Sequence, residues 1–253
     1  MTRGDALIII CPVAHSRSTL YKRSALYYDA IYSFKNYQKE AEKVHSLIQQ
    51  NKRSEGRTLL DVACGTGGHL AFLKDHYEVQ GLDANPDMLK TARQKHADVP
   101  FHQADMADFE LKRKFDAIIC LFSSIGYVKT RQRLNKAIQN MARHLQPGGV
   151  IIIEPWFSPE AFTPGTIHGL WVDQPDLKIA RMNLSTVKGN LSIMDMHHLV
   201  GTTKGIEHFI EHHEMGLFTH EEYLAAFKLE GLDLTHDPEG LTGRGLYIAT
   251  RRG

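Results

Sequence analysis

Residues 59 to 68 read LLDVACGTGG, a short apolar run that ends in a cluster of glycines. The apolar run predicts a buried strand, and the helical spacing after the glycines predicts a helix. A glycine turn between a strand and a helix lets a ligand approach the backbone closely. The turn departs from the dinucleotide motif GxGxxG because position 70 is leucine, which disfavours a diphosphate site.

The alternation of strand and helix continues along the first 155 residues. Strands are predicted over residues 58–63, 79–82, 99–104, 115–122 and 150–154, and helices over residues 36–50, 68–76, 85–96 and 131–145. Strands separated by helix-sized connections run parallel and are joined by right-handed crossovers. This part of the chain therefore predicts a doubly wound α/β sheet.

The pattern changes after Trp156, where period-two runs predict antiparallel strands over residues 180–187, 191–199 and 206–213. A helix then follows Thr219, a good N-cap with Glu222 at the capping-box position, and a last strand covers residues 245–250. We therefore predict three regions. They are an N-terminal extension (1–19), a Rossmann-like domain (20–155 and 214–253) and an antiparallel β insertion on the acceptor side (156–213).

Composition narrows the class of protein. The chain has 253 residues, 30 basic against 29 acidic side chains and a formal net charge of +1. This balance is typical of a globular enzyme and disfavours a nucleic-acid partner. The three cysteines and 15 histidines show no metal-ligand spacing, so no metal is expected. The apolar stretch at residues 6–14 is too short to span a bilayer, and no disulfide framework appears, which predicts a cytoplasmic protein with no membrane partner.

Asp83 lies eighteen residues after Gly65, at the end of the second predicted strand. A carboxylate at that position can accept hydrogen bonds from two ribose hydroxyls. Its negative charge also disfavours a phosphorylated ribose. The glycine turn and Asp83 together predict a nucleoside site.

These motifs, with ADM at residues 104–106 and QPGG at residues 146–149, resemble the class I S-adenosylmethionine-dependent methyltransferases. The resemblance implies that the glycine turn holds the methionine part of S-adenosylmethionine, and later of its product S-adenosylhomocysteine. It also implies that Asp83 holds the ribose, that Asp105 reaches the adenine amino group and that Met106 lies against the adenine ring. The cofactor-binding residues so implied are Tyr28, Tyr37, Asp61, Ala63, Gly65, Gly67, Asp83, Ala84, Met88, Asp105, Met106 and Leu121.

Further stretches resemble the N-methyltransferases that dimethylate the amino group of nucleotide-linked sugars in antibiotic biosynthesis. Among them are FSSIGY at residues 122–127, EPWF at 154–157 and GRGL at 243–246, and the similarity covers roughly residues 20–250. The resemblance implies a Rossmann-like, mostly parallel seven-stranded sheet with helices on both faces, plus a small antiparallel β insertion after strand five. Residues 1–19 and 165–178 depart from the family, so the reaction follows from the resemblance more directly than the sugar nucleotide does.

The implied reaction requires an unprotonated nucleophile aligned with the methyl group and shielded from water. Tyr127 is the candidate catalytic residue because it follows strand four at the carboxyl edge of the sheet, where it could accept the proton of an amine or orient its lone pair. A packing role for this ring is an equal alternative. Arg244, between two glycines, could form paired hydrogen bonds with a phosphate or carboxylate of the acceptor. The predicted acceptor-binding residues are Tyr21, Ser123, Trp156 and Arg244.

Two further clusters stand out. Tyr21, Tyr28, Tyr32 and Tyr37 crowd the region that closes over the cofactor in this class, which predicts a lid. The paired histidines 197–198 and 212–213 lie on strand-like runs, so at most one of each pair faces a common pocket.

Several functions stay open at this stage. The acceptor could be another small nitrogen or oxygen nucleophile, or the chain could bind S-adenosylmethionine without catalysis. A nucleic-acid methyltransferase is disfavoured because neither an Asn-Pro-Pro-Tyr-type motif nor an added basic domain occurs. The predicted partner is a small-molecule acceptor, and the sequence allows a homodimer.

Overall fold

The computed structural model describes residues 17–18, 21 and 23–253. Most of the predicted N-terminal extension (1–19) lies outside the described residues. The strands are β1 (Arg17–Ser18), β2 (Thr58–Val62), β3 (Glu78–Asp83), β4 (Phe101–Gln103), β5 (Phe115–Cys120), β6 (Leu145–Ile153), β7 (Ile167–Gln174), β8 (Leu177–Lys188), β9 (Leu191–Thr202), β10 (Gly205–Gly216), β11 (Asp233–Asp237) and β12 (Leu246–Thr250). The helices are α1 (Tyr28–Ile31), α2 (Tyr37–Asn51), α3 (Leu70–Leu73), α4 (Pro86–Lys95), α5 (Arg131–Arg143) and α6 (His220–Leu229), with 3₁₀ turns at Ser24–Leu26 and Ser124–Val128.

The larger sheet has the strand order β11-β12-β6-β5-β2-β3-β4. Five of its strands, β2 to β6, run parallel to one another. Strand β12 pairs antiparallel with β6, and β11 pairs antiparallel with β12. This confirms the predicted Rossmann-like, mostly parallel seven-stranded sheet. The carboxyl ends of β2, β3 and β5 meet at one edge, which is where doubly wound sheets bind ligands.

Two apolar clusters pack on opposite faces of this sheet. Leu60 of β2 belongs to the cluster formed with α5 and α6, and its neighbour Leu59 belongs to the cluster formed with α2 and α3. Both leucines are fully buried. Adjacent strand residues point to opposite faces, so a strand covered on both sides reads as the continuous apolar run seen in the sequence.

The second sheet has the order β1-β10-β9-β8-β7, with antiparallel pairing from β7 to β10. Strand β10 of this sheet runs to Gly216, three residues beyond the predicted end of the insertion. The sequence did not predict β7, most of whose side chains are exposed, nor the short polar strand β11. The helix predicted over residues 68–76 is limited to the four residues of α3.

The predicted N-cap of α6 is present as a complete capping box. The Thr219 hydroxyl accepts a hydrogen bond from the Glu222 N–H at 3.3 Å, and the Glu222 carboxylate accepts one from the Thr219 N–H at 3.0 Å. We expect Thr219→Ala to lower the free energy of unfolding by about 1 kcal/mol, since a helix N–H loses its acceptor. Urea unfolding measures this, and Thr219→Ser, which keeps the hydroxyl, is the control. Equal losses in both variants would contradict a capping role.

Candidate active site

Three residues of the glycine turn after β2 adopt left-handed backbone conformations. Ala63, Gly65 and Gly67 have φ values of 60°, 56° and 80°. A Cβ added at Gly65 would meet nothing within 4 Å, so the space beside it is open to a ligand. Gly67 packs against His96, whose ring would lie 2.8 Å from an added Cβ, and it is not among the residues that line the cavities beside the turn. Its contact with the cofactor stays a prediction.

Asp83 closes the turn from the end of β3. One carboxylate oxygen accepts the Gly65 N–H and the other accepts the Asn85 N–H, each at 2.8 Å. Burial raises the pKa of Asp83, and these backbone hydrogen bonds act in the opposite direction. Each carboxylate oxygen can accept a second hydrogen bond. Asp83 is thus fixed in place by the backbone and keeps capacity to accept a hydrogen bond from a ligand.

Asp61, at the base of the same cleft, is 2% exposed. Its Oδ2 atom is buried and has no hydrogen-bond partner among the described atoms. Burial raises the pKa of this carboxyl, and the nearby Asp83 adds to that effect. A buried acceptor without a partner is costly, so this atom is suited to a cationic or N–H donor from a ligand.

Asp105 follows β4 and already has two partners. One oxygen accepts the Ala107 N–H at 2.8 Å, and the other lies 2.6 Å from Nη2 of Arg133. The side chain of Asp105 is 46% exposed. Sequence reasoning missed Arg133, which comes from the first turn of α5 and lines the same cleft. A ligand amino group would share the carboxylate with this guanidinium.

The residues predicted for the cofactor otherwise converge. Two adjoining cavities form one continuous site, which we call the nucleoside cleft. Its predicted lining residues are Tyr28, Tyr37, Asp61, Ala63, Gly65, Asp83, Ala84, Met88, Asp105, Met106 and Leu121.

Residues 23–36, which we call the lid, cover the cleft. Tyr28 lines it, and Asp29 holds the lid to the body on two sides. One Asp29 oxygen accepts the Thr66 hydroxyl at 2.8 Å, and the other lies 2.9 Å from Nζ of Lys95. Ile31 packs into the apolar core of the second sheet. The lid therefore connects the glycine turn, α4 and the second sheet.

A larger cavity, which we call the acceptor cavity, opens beyond the cleft, with a volume of about 580 Å³. Its lining includes Tyr32, Phe34, Lys35, Asn36, Glu40, Phe122, Trp156, Phe157, Phe162, His168, Arg181, Asn183, Ser185, Met194, Met196, Met215, Thr242 and Arg244. Five residues line both the acceptor cavity and the nucleoside cleft: Tyr21, Tyr28, Phe122, Ser124 and Tyr127. A group transferred from one ligand to the other would cross at these five residues.

Of the predicted acceptor residues, Tyr21, Trp156 and Arg244 line the acceptor cavity, but Ser123 does not. Phe122 and Ser123 both adopt left-handed conformations, with φ values of 52° and 59°. This turn buries the Ser123 side chain, whose hydroxyl donates to the Pro155 carbonyl at 2.7 Å. The structure therefore places Ser124 instead of Ser123 in the cavity wall, and acceptor binding by Ser123 stays a prediction.

Arg244 is paired inside the protein. Its Nη2 lies 3.8 Å from the carboxylate of Glu154, which is fully buried. The guanidinium also lies over the rings of Trp156 and Phe157, at 5.5 and 5.6 Å from their centroids. Burial lowers the pKa of Arg244, and Glu154 acts in the opposite direction. The buried Nε atom has no hydrogen-bond partner among the described atoms, so a donor remains for an anionic ligand.

Two further cations in the acceptor cavity were missed by sequence reasoning. Arg181 of β8 donates to the Tyr32 hydroxyl at 2.9 Å. Lys35 is 3% exposed, lies 2.8 Å from both oxygens of Glu40 and sits 3.9 Å above the ring of Phe122. No local motif marks either residue. The period-two pattern of β8, which puts Arg181 on the same face as Asn183 and Ser185, is the signal that could have found Arg181.

No group of three or more His, Cys, Asp or Glu side chains in the described ranges is placed to hold a metal ion. None of the helices in the described part of the chain is long and apolar enough to cross a membrane.

Comparison with known proteins identifies the type of site. A sequence family described as a methyltransferase domain matches residues 59–149, from β2 to β6. The chain is 41% identical over 216 residues to a dTDP-3-amino-3,4,6-trideoxy-alpha-D-glucopyranose N,N-dimethyltransferase of Streptomyces venezuelae, a match that covers 85% of this chain and 91% of the relative. It is 37% identical over 227 residues to a dTDP-4-amino-2,3,4,6-tetradeoxy-D-glucose N,N-dimethyltransferase of Saccharopolyspora spinosa, covering 88% and 91% of the two chains.

Solved structures show the same fold. An amino pentose methyltransferase from Micromonospora echinaspora, solved with S-adenosylmethionine bound, superposes with a TM-score of 0.81 at 36% identity. The match covers 94% of this chain and all of that chain. The similarity therefore includes the second sheet as well as the nucleotide-binding half.

Proposed function

The chain belongs to the S-adenosylmethionine-dependent N,N-dimethyltransferases of nucleotide-linked amino sugars, and from this membership we propose that its acceptor is the amino nitrogen of a dTDP-linked amino sugar. Membership of this family shows that the protein is a methyltransferase. The identity of the acceptor is the part that is proposed.

The acceptor cavity carries this proposal. Its volume of about 580 Å³ lies within the range of about 300–1,000 Å³ that is usual for small-molecule sites. The guanidinium groups of Arg181 and Arg244 suit the two phosphates, because a guanidinium can bind phosphate oxygens in pairs. Trp156, Phe157 and Phe162 supply flat apolar surfaces for a planar base. The cavity thus has features for each part of a nucleotide-linked sugar.

The residues of the nucleoside cleft fit S-adenosylmethionine. We propose that Asp83 accepts the ribose hydroxyls, that Asp105 accepts the adenine amino group beside Arg133, and that the unpartnered oxygen of Asp61 faces the methionine ammonium. When bound, S-adenosylmethionine supplies a methyl group activated by its sulfonium. The protein then has to place an unprotonated nitrogen at the shared wall, where the hydrogen-bonded pair of Tyr21 and Tyr127 hydroxyls can accept an N–H hydrogen bond.

A panel of acceptors tests this proposal. We expect methyl transfer, followed by mass spectrometry, to a dTDP-linked 3-amino or 4-amino sugar. The same amino sugars without the dTDP group are the matched controls, and they should be much poorer substrates because Arg181 and Arg244 have no phosphate to bind. Turnover of the free sugar or of another small amine at the same rate would contradict the nucleotide-linked acceptor.

Two other expectations also stand as proposals. Nucleotide-linked sugars and S-adenosylmethionine are charged, and charged groups enter a bilayer only at a high free-energy cost. We therefore propose that the enzyme acts in the cytoplasm. We also propose that the protein forms a homodimer, which sedimentation velocity can check. The proposed partner is a small-molecule acceptor and not a nucleic acid or a membrane.

A further inference from the structure

Four side chains form a row that leads away from the wall shared by the two cavities. The Tyr21 and Tyr127 hydroxyls are 2.7 Å apart, and the Tyr127 hydroxyl is 2.8 Å from Nδ1 of His213. The other ring nitrogen of His213, Nε2, lies 4.0 Å from Oε2 of Glu211. The row begins where a transferred methyl group would cross and ends inside the second sheet.

The inner half of this row is shielded from water. His213 and Glu211 are each 1% exposed. Both lie on β10, two residues apart, so they share one face of the strand. Glu211 accepts hydrogen bonds from the Ser24 N–H at 3.2 Å and from the Ser24 hydroxyl at 2.6 Å. The lid, through Ser24, therefore covers the end of the row.

The surroundings fix the direction of these hydrogen bonds. Nε2 of His213 is buried and has no hydrogen-bond partner among the described atoms, and the Glu211 carboxylate lies 4.0 Å from it. A lone pair on Nε2 would face a carboxylate, whereas an N–H there is attracted to it. The neutral imidazole thus carries its proton on Nε2 and accepts at Nδ1. Tyr127 then donates to His213, and Tyr21 donates to Tyr127, which leaves a Tyr21 lone pair for an acceptor N–H.

Burial keeps His213 neutral, and side chains from three strands modify its pKa. Burial is the main cause that lowers the pKa of His213 to about 3, and His198, Arg181 and His212 lower it further, while Asp195 acts in the opposite direction. Burial raises the pKa of Glu211, against the Ser24 hydrogen bonds and Arg181. Burial also raises the pKa of both tyrosine hydroxyls, so neither tyrosine is an anion near neutral pH.

We propose that His213 and Glu211 are positioning residues that draw the proton of the acceptor ammonium away from the nitrogen through Tyr21 and Tyr127. The proposal rests on the proposed amine acceptor. An alkyl amine is mostly protonated near neutral pH. A path that removes this proton therefore sets the fraction of the acceptor that is present as the nucleophilic free amine.

The proton balance uses only groups of the chain and the acceptor. An N–H bond of the ammonium breaks and an O–H bond forms on Tyr21, which gives its own proton to Tyr127. Tyr127 gives its proton to Nδ1 of His213, and the Nε2 proton of His213 passes to the Glu211 carboxylate. The nitrogen is left with its lone pair, no group is oxidised or reduced, and one proton has moved to Glu211. The His213–Glu211 distance has to shorten for the last transfer, as is common when a substrate closes a site.

A test without any acceptor uses ¹⁵N NMR of histidine-labelled protein. The His213 signals are assigned by their loss in His213→Gln. We expect one protonated and one unprotonated ring nitrogen, with the proton on Nε2, throughout the range from about pH 5.5 to 9. A proton on Nδ1, or a charged His213 in this range, would overturn the proposal whether or not the acceptor is a sugar nucleotide.

The second test is the pH dependence of kcat with an active acceptor. We expect His213→Gln, Glu211→Gln and Tyr127→Phe to lower kcat near pH 7 by about 100-fold. The loss should shrink toward high pH, where the amine deprotonates without help, while KM and the affinity for S-adenosylmethionine change by no more than about threefold. The matched control is Tyr27→Phe in the lid, which removes a hydroxyl that donates to Glu207 instead of to a member of this row. It should keep the profile of the wild type.

The outcomes are separable. If the wild type transfers no methyl group to any amine, the proposed function fails. The NMR result still decides whether the proton relay from Tyr21 through Tyr127 and His213 to Glu211 has the proposed hydrogen-bond directions. If the wild type is active and the variants keep its kcat at pH 7, or lose the same factor at every pH, the relay is excluded and His213 has only a packing role.

Discussion

Replacing Asp83 with alanine is expected to weaken S-adenosylmethionine binding by about 1.5–3 kcal/mol, or about ten- to 150-fold, the usual range for hydrogen bonds to a charged group. Two effects contribute. The ribose hydroxyls lose their charged acceptor, and the glycine turn loses the carboxylate that holds the Gly65 N–H at 2.8 Å. Isothermal titration calorimetry with S-adenosylmethionine and S-adenosylhomocysteine measures the change.

Asp83→Asn separates these two effects. The amide keeps one oxygen that can hold either the Gly65 or the Asn85 N–H, but it carries no charge. We therefore expect an affinity between those of the wild type and Asp83→Ala. A folded Asp83→Ala protein, checked by circular dichroism, with unchanged affinity would remove Asp83 from the cofactor site.

The second large effect is expected for Arg244→Ala, which should lower the free energy of unfolding by about 3 kcal/mol or more. The variant leaves the carboxylate of Glu154 fully buried without its cation. Glu154 keeps the Phe122 N–H at 2.7 Å and the Thr242 hydroxyl, but neither neutralises its charge. Urea unfolding measures the loss, and a double variant with Glu154→Gln should recover part of it, because the uncompensated charge is removed.

Arg244→Lys is the matched variant for the binding role. A lysine keeps the charge near Glu154, so stability should change little, but its point charge loses the paired hydrogen-bond geometry. We expect KM for an anionic acceptor to rise while kcat changes less. Wild-type KM in this variant would show that Arg244 serves the fold and not the acceptor.

The sequence predicted the parts of the site that depend on local order along the chain. The glycine turn, Asp83 and Asp105 each follow a strand of the parallel sheet, and the carboxyl ends of such strands meet at one edge. Their convergence was predictable for that reason. Tyr127 was found by the same rule, since it follows β5.

Residues brought in by long-range pairing were not predictable in this way. Arg133 reaches Asp105 from a helix 28 positions later, and Arg181 enters the acceptor cavity from an antiparallel strand with no motif of its own. The pairing of Arg244 with Glu154 links residues 90 positions apart in the chain. The choice between Ser123 and Ser124 depended on two consecutive left-handed residues, a backbone feature without a sequence signature in non-glycine residues.

The two anchors of Asp29 have a kinetic consequence. Asp29 ties its short segment to Thr66 and Lys95. The same segment supplies Tyr28 to the walls of both cavities and Tyr32 to the wall of the acceptor cavity. We therefore expect release of S-adenosylhomocysteine to require this segment to open, which would uncover the acceptor as well. On this basis we expect distributive transfer, in which a sugar that receives two methyl groups passes through the bulk solution as a singly methylated molecule and competes for re-entry with unmethylated sugar.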